Sequence, residues 1–289
     1  MAYPTVSGPY GLLPQNLIGG QVFAGSTRMI PIASGYGTGL YYGDVVQIGV
    51  GSGTNAGAVI QSTMTYNTTS AVAGTAGIFL GCEYTPGSTL TTAGSGPIYG
   101  KTRAQYWPAS TVAIDAQAYV LDDPDVVMKA VVVANNGTTS STTQINVGPA
   151  WVGSNLFLVR NAGSNTTGNS AFALCAGSSD ARTASTAPFR IVGVVPESSV
   201  VVAQNATTAT STAMTLSAAN SYITVGMNVY GSGVPTGTYV SAVSGTSVTL
   251  SQATTSTIST AASFTFVGSP EVLVKWNFGY HGYYNATGV

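Results

Sequence analysis

Apolar runs in this chain are short, and Gly, Pro, Asn or Ser cuts each one off within a few residues. Ile78-Phe79-Leu80-Gly81-Cys82-Glu83-Tyr84 stops at Pro86-Gly87, a strong turn pair. Leu156-Phe157-Leu158-Val159, the run at 189–195 and the run at 271–278 are bounded in the same way. Nowhere do apolar residues recur at the three- and four-residue spacing of an amphipathic helix. Many short, β-branched, aromatic-rich runs separated by turn residues predict an all-β chain, a β-sandwich or a β-barrel-like body.

Charge divides the chain unevenly. Only 6% of the 289 residues are charged, and eight of those seventeen lie between positions 78 and 133: Glu83, Lys101, Arg103, Asp115, Asp122, Asp123, Asp125 and Lys129. From 198 to 270 there is no Asp, Glu, Lys or Arg. In that neutral stretch Thr alternates with apolar residues, as in Val248-Thr249-Leu250 and Phe264-Thr265-Phe266, which suits a half-buried sheet. Strands are expected there at 214–216, 222–230, 237–243, 247–250 and 263–267. The charged, aromatic style resumes at Glu271-Val272-Leu273-Val274-Lys275-Trp276. The organisation expected is therefore an extended arm at 1–28 and a β body at 29–197 plus 271–289. A charge-free β module, a second small β-sandwich, is inserted at 198–270. Within the body, runs at 116–121 and 126–133 flank Asp122-Asp123-Pro124-Asp125 and read as a hairpin, with proline pre-setting the turn. Ala150-Trp151-Val152 reads as a strand.

The same composition bounds the partners. Eight basic residues form no patch, so counterion release from nucleic acid could contribute little. No run approaches the roughly 20 apolar residues of a membrane-spanning helix. The first residues, MAYPTVSGPYGLLPQ, show neither a basic leader nor an apolar signal core, so synthesis in a host cytoplasm is expected. A net charge of −1 gives little repulsion between copies, which favours burial of surface in an assembly.

Residues able to carry chemistry are few. His281 is the only histidine, with no acid beside it in sequence, and reads as an interface or surface residue. The three aspartates of the turn lack the twelve-residue calcium-loop pattern. Cys82 and Cys175 sit in apolar runs and read as buried thiols. No catalytic residue, metal or cofactor is expected. What the sequence does offer is contact surface. Pro4, Pro9 and Pro14 exclude helix and central strand from the arm, while Tyr3, Tyr10, Leu12 and Leu13 argue against a merely solvated tail. Trp276, Phe278, Tyr280, Tyr283 and Tyr284 form the densest aromatic cluster, suited to an interface, to sugar stacking or to a core edge strand. The candidate assembly residues are Tyr3, Pro9, Tyr10, Leu12, Leu13, Trp276, Phe278, Tyr280, Tyr283 and Tyr284.

Two stretches carry a resemblance. Phe79-Leu80-Gly81, Tyr106-Trp107-Pro108 and Asp122-Asp123-Pro124, in this order, resemble a group of tailed-phage virion proteins that decorate or cement the capsid. The likeness spans roughly residues 10–200. Gly226-Met227, Gly231, Gly233, Pro235, Gly237-Thr238 and Val248-Thr249-Leu250 are similar to a small β module of phage structural and bacterial surface proteins. The resemblance implies a non-enzymatic protein on the outer capsid surface of the virion. It would be a homotrimer that bridges capsomers and has the major capsid protein as its partner. Two alternatives stand beside it: a tail or fibre component binding host glycans through the inserted module or the C-terminal tyrosines, and a bacterial surface-layer protein.

Overall fold

The computed structural model describes residues 6–15, 27–66, 74–87, 100–134, 140–177, 182–258 and 262–285. The strands run in chain order as follows. The first part of the chain supplies β1 (Leu13–Pro14), β2 (Arg28–Pro31), β3 (Val45–Ile48), β4 (Val59–Gln61), β5 (Thr75–Tyr84), β6 (Thr102–Ala104), β7 (Gln117–Leu121) and β8 (Met128–Val131). Next come β9 (Asn155–Val159), β10 (Ala173–Cys175) and β11 (Phe189–Val194). The charge-free stretch holds β12 (Val200–Thr210), β13 (Ala213–Leu216), β14 (Asn228–Tyr230), β15 (Val240–Ser244), β16 (Ser247–Leu250) and β17 (Ala262–Gly268), and β18 (Glu271–Trp276) follows it. Among the described residues no α-helix occurs; helical backbone is confined to the 3-10 turns Pro149–Trp151 and Pro196–Ser198. The chain is all-β.

Three antiparallel sheets result. The first has the order β1-β8-β18-β11-β9-β10, and the second β2-β7-β5-β3-β4 with β6 added on β5. These two face each other across a shared core: Met128, Ala130, Leu156, Leu158, Val272 and Val274 from one side meet Val45, Ile78 and Leu121 from the other. Each sheet also buries part of its other face. Val46, Phe79 and Val120 point away from the shared core into a cluster around Trp107, and Val131, Phe157 and Val159 into a smaller one around Ala173 and Cys175. Burial on both faces is why β5 and β9 are nearly unbroken apolar runs. Gly77 lies on β5 with φ +141°, where a Cβ would stand 1.9 Å from the Leu121 carbonyl oxygen, so β5 and β7 approach this closely only because that side chain is absent. Both cysteines are buried and neither is in a disulfide, as their apolar surroundings lead one to expect.

The third sheet, β14-β17-β12-β13-β16-β15, comes wholly from the charge-free stretch. Its ends meet: Val229 N–H donates to the Thr238 carbonyl at 2.9 Å and Val240 N–H to the Met227 carbonyl at 2.9 Å, beside the bridge Asn228–Tyr239. The six strands thus curl around a core of their own that includes Met214, Val229, Val248, Phe264 and Phe266. The stretch leaves the first sheet after β11 and returns through β18, and those two strands pair with each other. Buried hydroxyls tie this neck together, Ser198 to Ser269 at 2.6 Å and Ser269 to the Val195 carbonyl at 2.9 Å.

Three local expectations are corrected. Residues 116–121 and 126–133 do not form a hairpin: β7 pairs with β2 and β5, whereas β8 pairs with β1 and β18, so the aspartate turn carries the chain from one sheet to the other. The alternation on both sides of the turn is the same for a hairpin and a crossover, and only the pairing partners separate them. Ala150 and Trp151 lie in a 3-10 turn that Pro149 starts. The strand expected at 222–230 shortens to Asn228–Tyr230, with turns before it, while β12 is a further strand whose Gln, Asn and Thr residues mask its buried Val200, Val202 and Ala206.

Candidate contact surface

The N-terminal candidates lie against the chain's own body. Tyr3 lies outside the described residues. Leu12 is 0% exposed and belongs to the core shared by the first two sheets. Leu13 pairs with Lys129 through β1, and Gly11 N–H donates to the Phe172 carbonyl at 3.0 Å. Tyr10 donates its hydroxyl to Glu271, and Lys129 Nζ sits 5.5 Å from the Tyr10 ring centroid and 3.2 Å from Glu271 Oε1. Burial, then the hydrogen bond to Glu271, raises the Tyr10 phenol far above its ordinary value. Pro9 is half-buried. Leu12 is therefore a core residue that cannot face a partner, because the positive φ of Gly11, +85°, turns the chain inward just before it.

The C-terminal candidates separate into two sets. Trp276 and Tyr280 are buried in the shared core, at 5% and 3% exposure, which removes them from any interface. Trp276 packs on Phe189 with ring centroids 4.7 Å apart, and Tyr280 donates its hydroxyl to the Thr186 carbonyl. His281 is buried too, 5.6 Å from the Trp276 ring, and burial lowers its pKa, opposed by nearby Asp122 and Asp123. It is a packing residue and not the surface group expected from sequence. Phe278, Tyr283 and Tyr284 point outward, at 82%, 61% and 37% exposure.

These outward rings are held rather than loose. Asn277 donates its amide to the Ala187 carbonyl at 2.9 Å and accepts from Phe278 N–H at 3.1 Å. Gly282 N–H donates to the Thr75 carbonyl at 2.8 Å and Tyr284 N–H to the His281 carbonyl at 2.9 Å. Phe278 and Tyr284 stack, centroids 6.1 Å apart and planes 22° apart. Beside Tyr283 and His281, with Arg28, Thr75 and Ala76, lies a small cleft of about 180 Å³.

The structure adds residues that the sequence had placed elsewhere. Tyr283 donates to Asp122 Oδ2 at 2.9 Å from 161 positions away, and Tyr284 to Asp125 Oδ2 at 3.3 Å. Arg28 pairs with Asp122 at 2.9 Å and Lys275 with Asp125 at 2.5 Å, the latter holding the Asp125 carboxyl below its ordinary range. Asp123 Oδ1 accepts from Asp125 N–H at 2.8 Å, a turn-fixing bond. The aspartate turn and the C-terminal aromatics thus make one surface. No local signal announces this, since only the pairing of β8 with β18 brings them together.

Elsewhere the charges serve structure. Glu83 accepts from Lys101, Tyr119 and Arg103, which hold its carboxyl down to about 2. Asp115 anchors Thr85 by its N–H at 2.9 Å and its hydroxyl at 2.7 Å. Asp44 is wholly buried, and burial pushes its carboxyl up to about 6 against hydrogen bonds from Tyr41 N–H and the Gln61 amide. The charge-free barrel docks on the sandwich through Arg182, whose guanidinium lies 4.3 Å from the Trp151 ring and 4.6 Å from the Tyr239 ring. Among the described residues no cluster of three or more His, Cys, Asp or Glu is placed to hold a metal, and no helix is long and apolar enough to cross a membrane.

The chain matches no family model, and it has no significant match among curated proteins or solved structures.

Proposed function

We propose that this chain is a non-enzymatic virion structural protein that decorates and stabilises the outer capsid of a tailed phage, working by contact. The observation that supports this most is the pinned surface of Phe278, Tyr283 and Tyr284 on a charge-poor β body. A rigid, solvent-exposed aromatic cluster costs little conformational entropy when it is covered, so a shell subunit seated on it keeps most of the energy of burial. At about 25 cal/mol per Å² of apolar surface, contacts repeated over a shell stabilise the lattice even when each is modest. The barrel at 198–270 is read as a module carried outward on this body, and the major capsid protein and further copies of the chain, as a homotrimer, are the partners.

The test is addition of purified protein to isolated shells that lack it. Co-sedimentation in a fixed ratio to shell subunits, with a raised shell melting temperature, is expected. Failure to bind shells together with binding to tails or to host glycans would replace this reading with that of a tail or fibre protein.

A further inference from the structure

We infer that the Phe278–Tyr284 surface receives a basic, arginine-bearing segment of its partner. The inference rests on the proposed contact role of that surface and names the chemistry of what covers it. Three carboxylates, Asp122, Asp123 and Asp125, stand here against two cations, Arg28 and Lys275. Arg28 is committed to Asp122 and Lys275 to Asp125, while Asp123 pairs with no cation among the described residues and uses one oxygen to fix its own turn. One net negative charge therefore sits beside an aromatic pair. Burial first, then the Asp125 and Asp123 charges, raise the Tyr284 phenol, which places that negative field at the rings themselves.

Stacked rings and an unpaired carboxylate together select a cation, because the ring faces are electronegative and the carboxylate accepts charged donors. A guanidinium suits the site better than an ammonium: it is planar enough to lie on the Phe278–Tyr284 pair while its edge donates to the adjoining aspartate turn, and it sheds water more readily. An acidic segment would meet repulsion, and a purely apolar one would leave Asp123 desolvated without a partner. The geometry is already set by Asn277, Tyr280 and His281 beneath, so the cation meets a formed site.

The experiment is fluorescence anisotropy of the full-length protein with three labelled tetrapeptides, alternating Ala with Arg, with Lys or with Glu. The arginine peptide is expected to bind more tightly than the lysine peptide, and the glutamate peptide not at all. Phe278→Ala and Asp123→Asn, both at exposed or half-exposed positions, are expected each to weaken the arginine peptide by about 5-fold or more. Raising salt from about 50 to about 300 mM is expected to weaken it further. Equal binding of the Arg and Glu peptides, or arginine binding unchanged by Phe278→Ala, would overturn the inference. The same variants in shell attachment separate the two levels. Attachment lost with Phe278→Ala while the arginine peptide is indifferent to both variants overturns the basic partner alone, and attachment unaffected by Phe278→Ala overturns the contact surface itself.

Discussion

The sandwich and the charge-free barrel are both antiparallel β, yet they bury their strands differently. In the sandwich each sheet lies between two apolar clusters, so β5 is buried along almost its whole length and β9 at all five positions. The barrel has one apolar cluster, on its inside, and β13 and β16 alternate strictly between exposed and buried. The difference shows that apolar density along a strand reports how many of its faces are covered, not how stable the strand is. It also explains the charges. A layered body has turns and edges where carboxylates and cations can pair, and one site, Asp44, where an acid is enclosed altogether. The barrel's outer face is mostly Ser, Thr and Ala with Val201, Tyr222 and Tyr230 exposed among them, and it meets the body through backbone bonds from residues 146–150 and through one cation, Arg182, supplied from the body's side.

The largest test of this contrast lies in the doubly covered layer. Phe79→Ala is expected to cost about 3–5 kcal/mol in urea unfolding and to destabilise both sheets together, because Phe79 is wholly buried where the second sheet meets its outer cluster. A loss below about 1 kcal/mol would mean that the outer cluster is loosely packed. Phe266→Ala in the barrel removes a comparable ring at a cost of about 3 kcal/mol that should stay local. Amide exchange is expected to quicken in β12 to β17 and hold steady in β5 and β8; uniform quickening would make barrel and sandwich one cooperative unit.

Asp44 gives a pH signature that the barrel cannot have. Its folded-state pKa of about 6 lies above the ordinary 3.8. The stability linked to its protonated form is therefore complete below 3.8 and is lost as pH rises through about 6. Asp44→Asn keeps a neutral group at all pH values, so its stability relative to the parent should climb by up to about 3 kcal/mol between pH 3 and pH 8. Parallel stability curves for the two proteins would contradict the buried acid. The smallest effect is Arg182→Ala, expected to cost about 1–2 kcal/mol by removing the cation between Trp151 and Tyr239. A shift in exchange at residues 146–150, whose backbone bonds Thr224, Gly226, Ser269 and Asn228, with the barrel core unchanged, would mark it as a joint.

The fold class was legible in the chain because short runs ending in Gly, Pro and Asn leave no alternative to short strands. Other features were hidden for identifiable reasons. Period-two reasoning puts Trp276, Phe278 and Tyr280 on one face, but β18 ends at Trp276, and the turn through Asn277 and Gly279, φ +86°, sends Phe278 out while Tyr280 returns to the core. Leu12 had no partner visible in sequence; its burial depends on the two sheets closing over it. The proposed contact surface was half visible: its aromatics were, while its aspartates join them through the pairing of β8 with β18.

The most direct measurement of the central claim, action by contact through the Phe278 surface, is the position of this protein on an intact particle by electron cryomicroscopy. Copies are expected on the outer shell, with Phe278, Tyr283 and Tyr284 against a shell subunit and the barrel directed away from it. Copies at the tail tip, or a shell seat made by the barrel with those three rings in solvent, would contradict it.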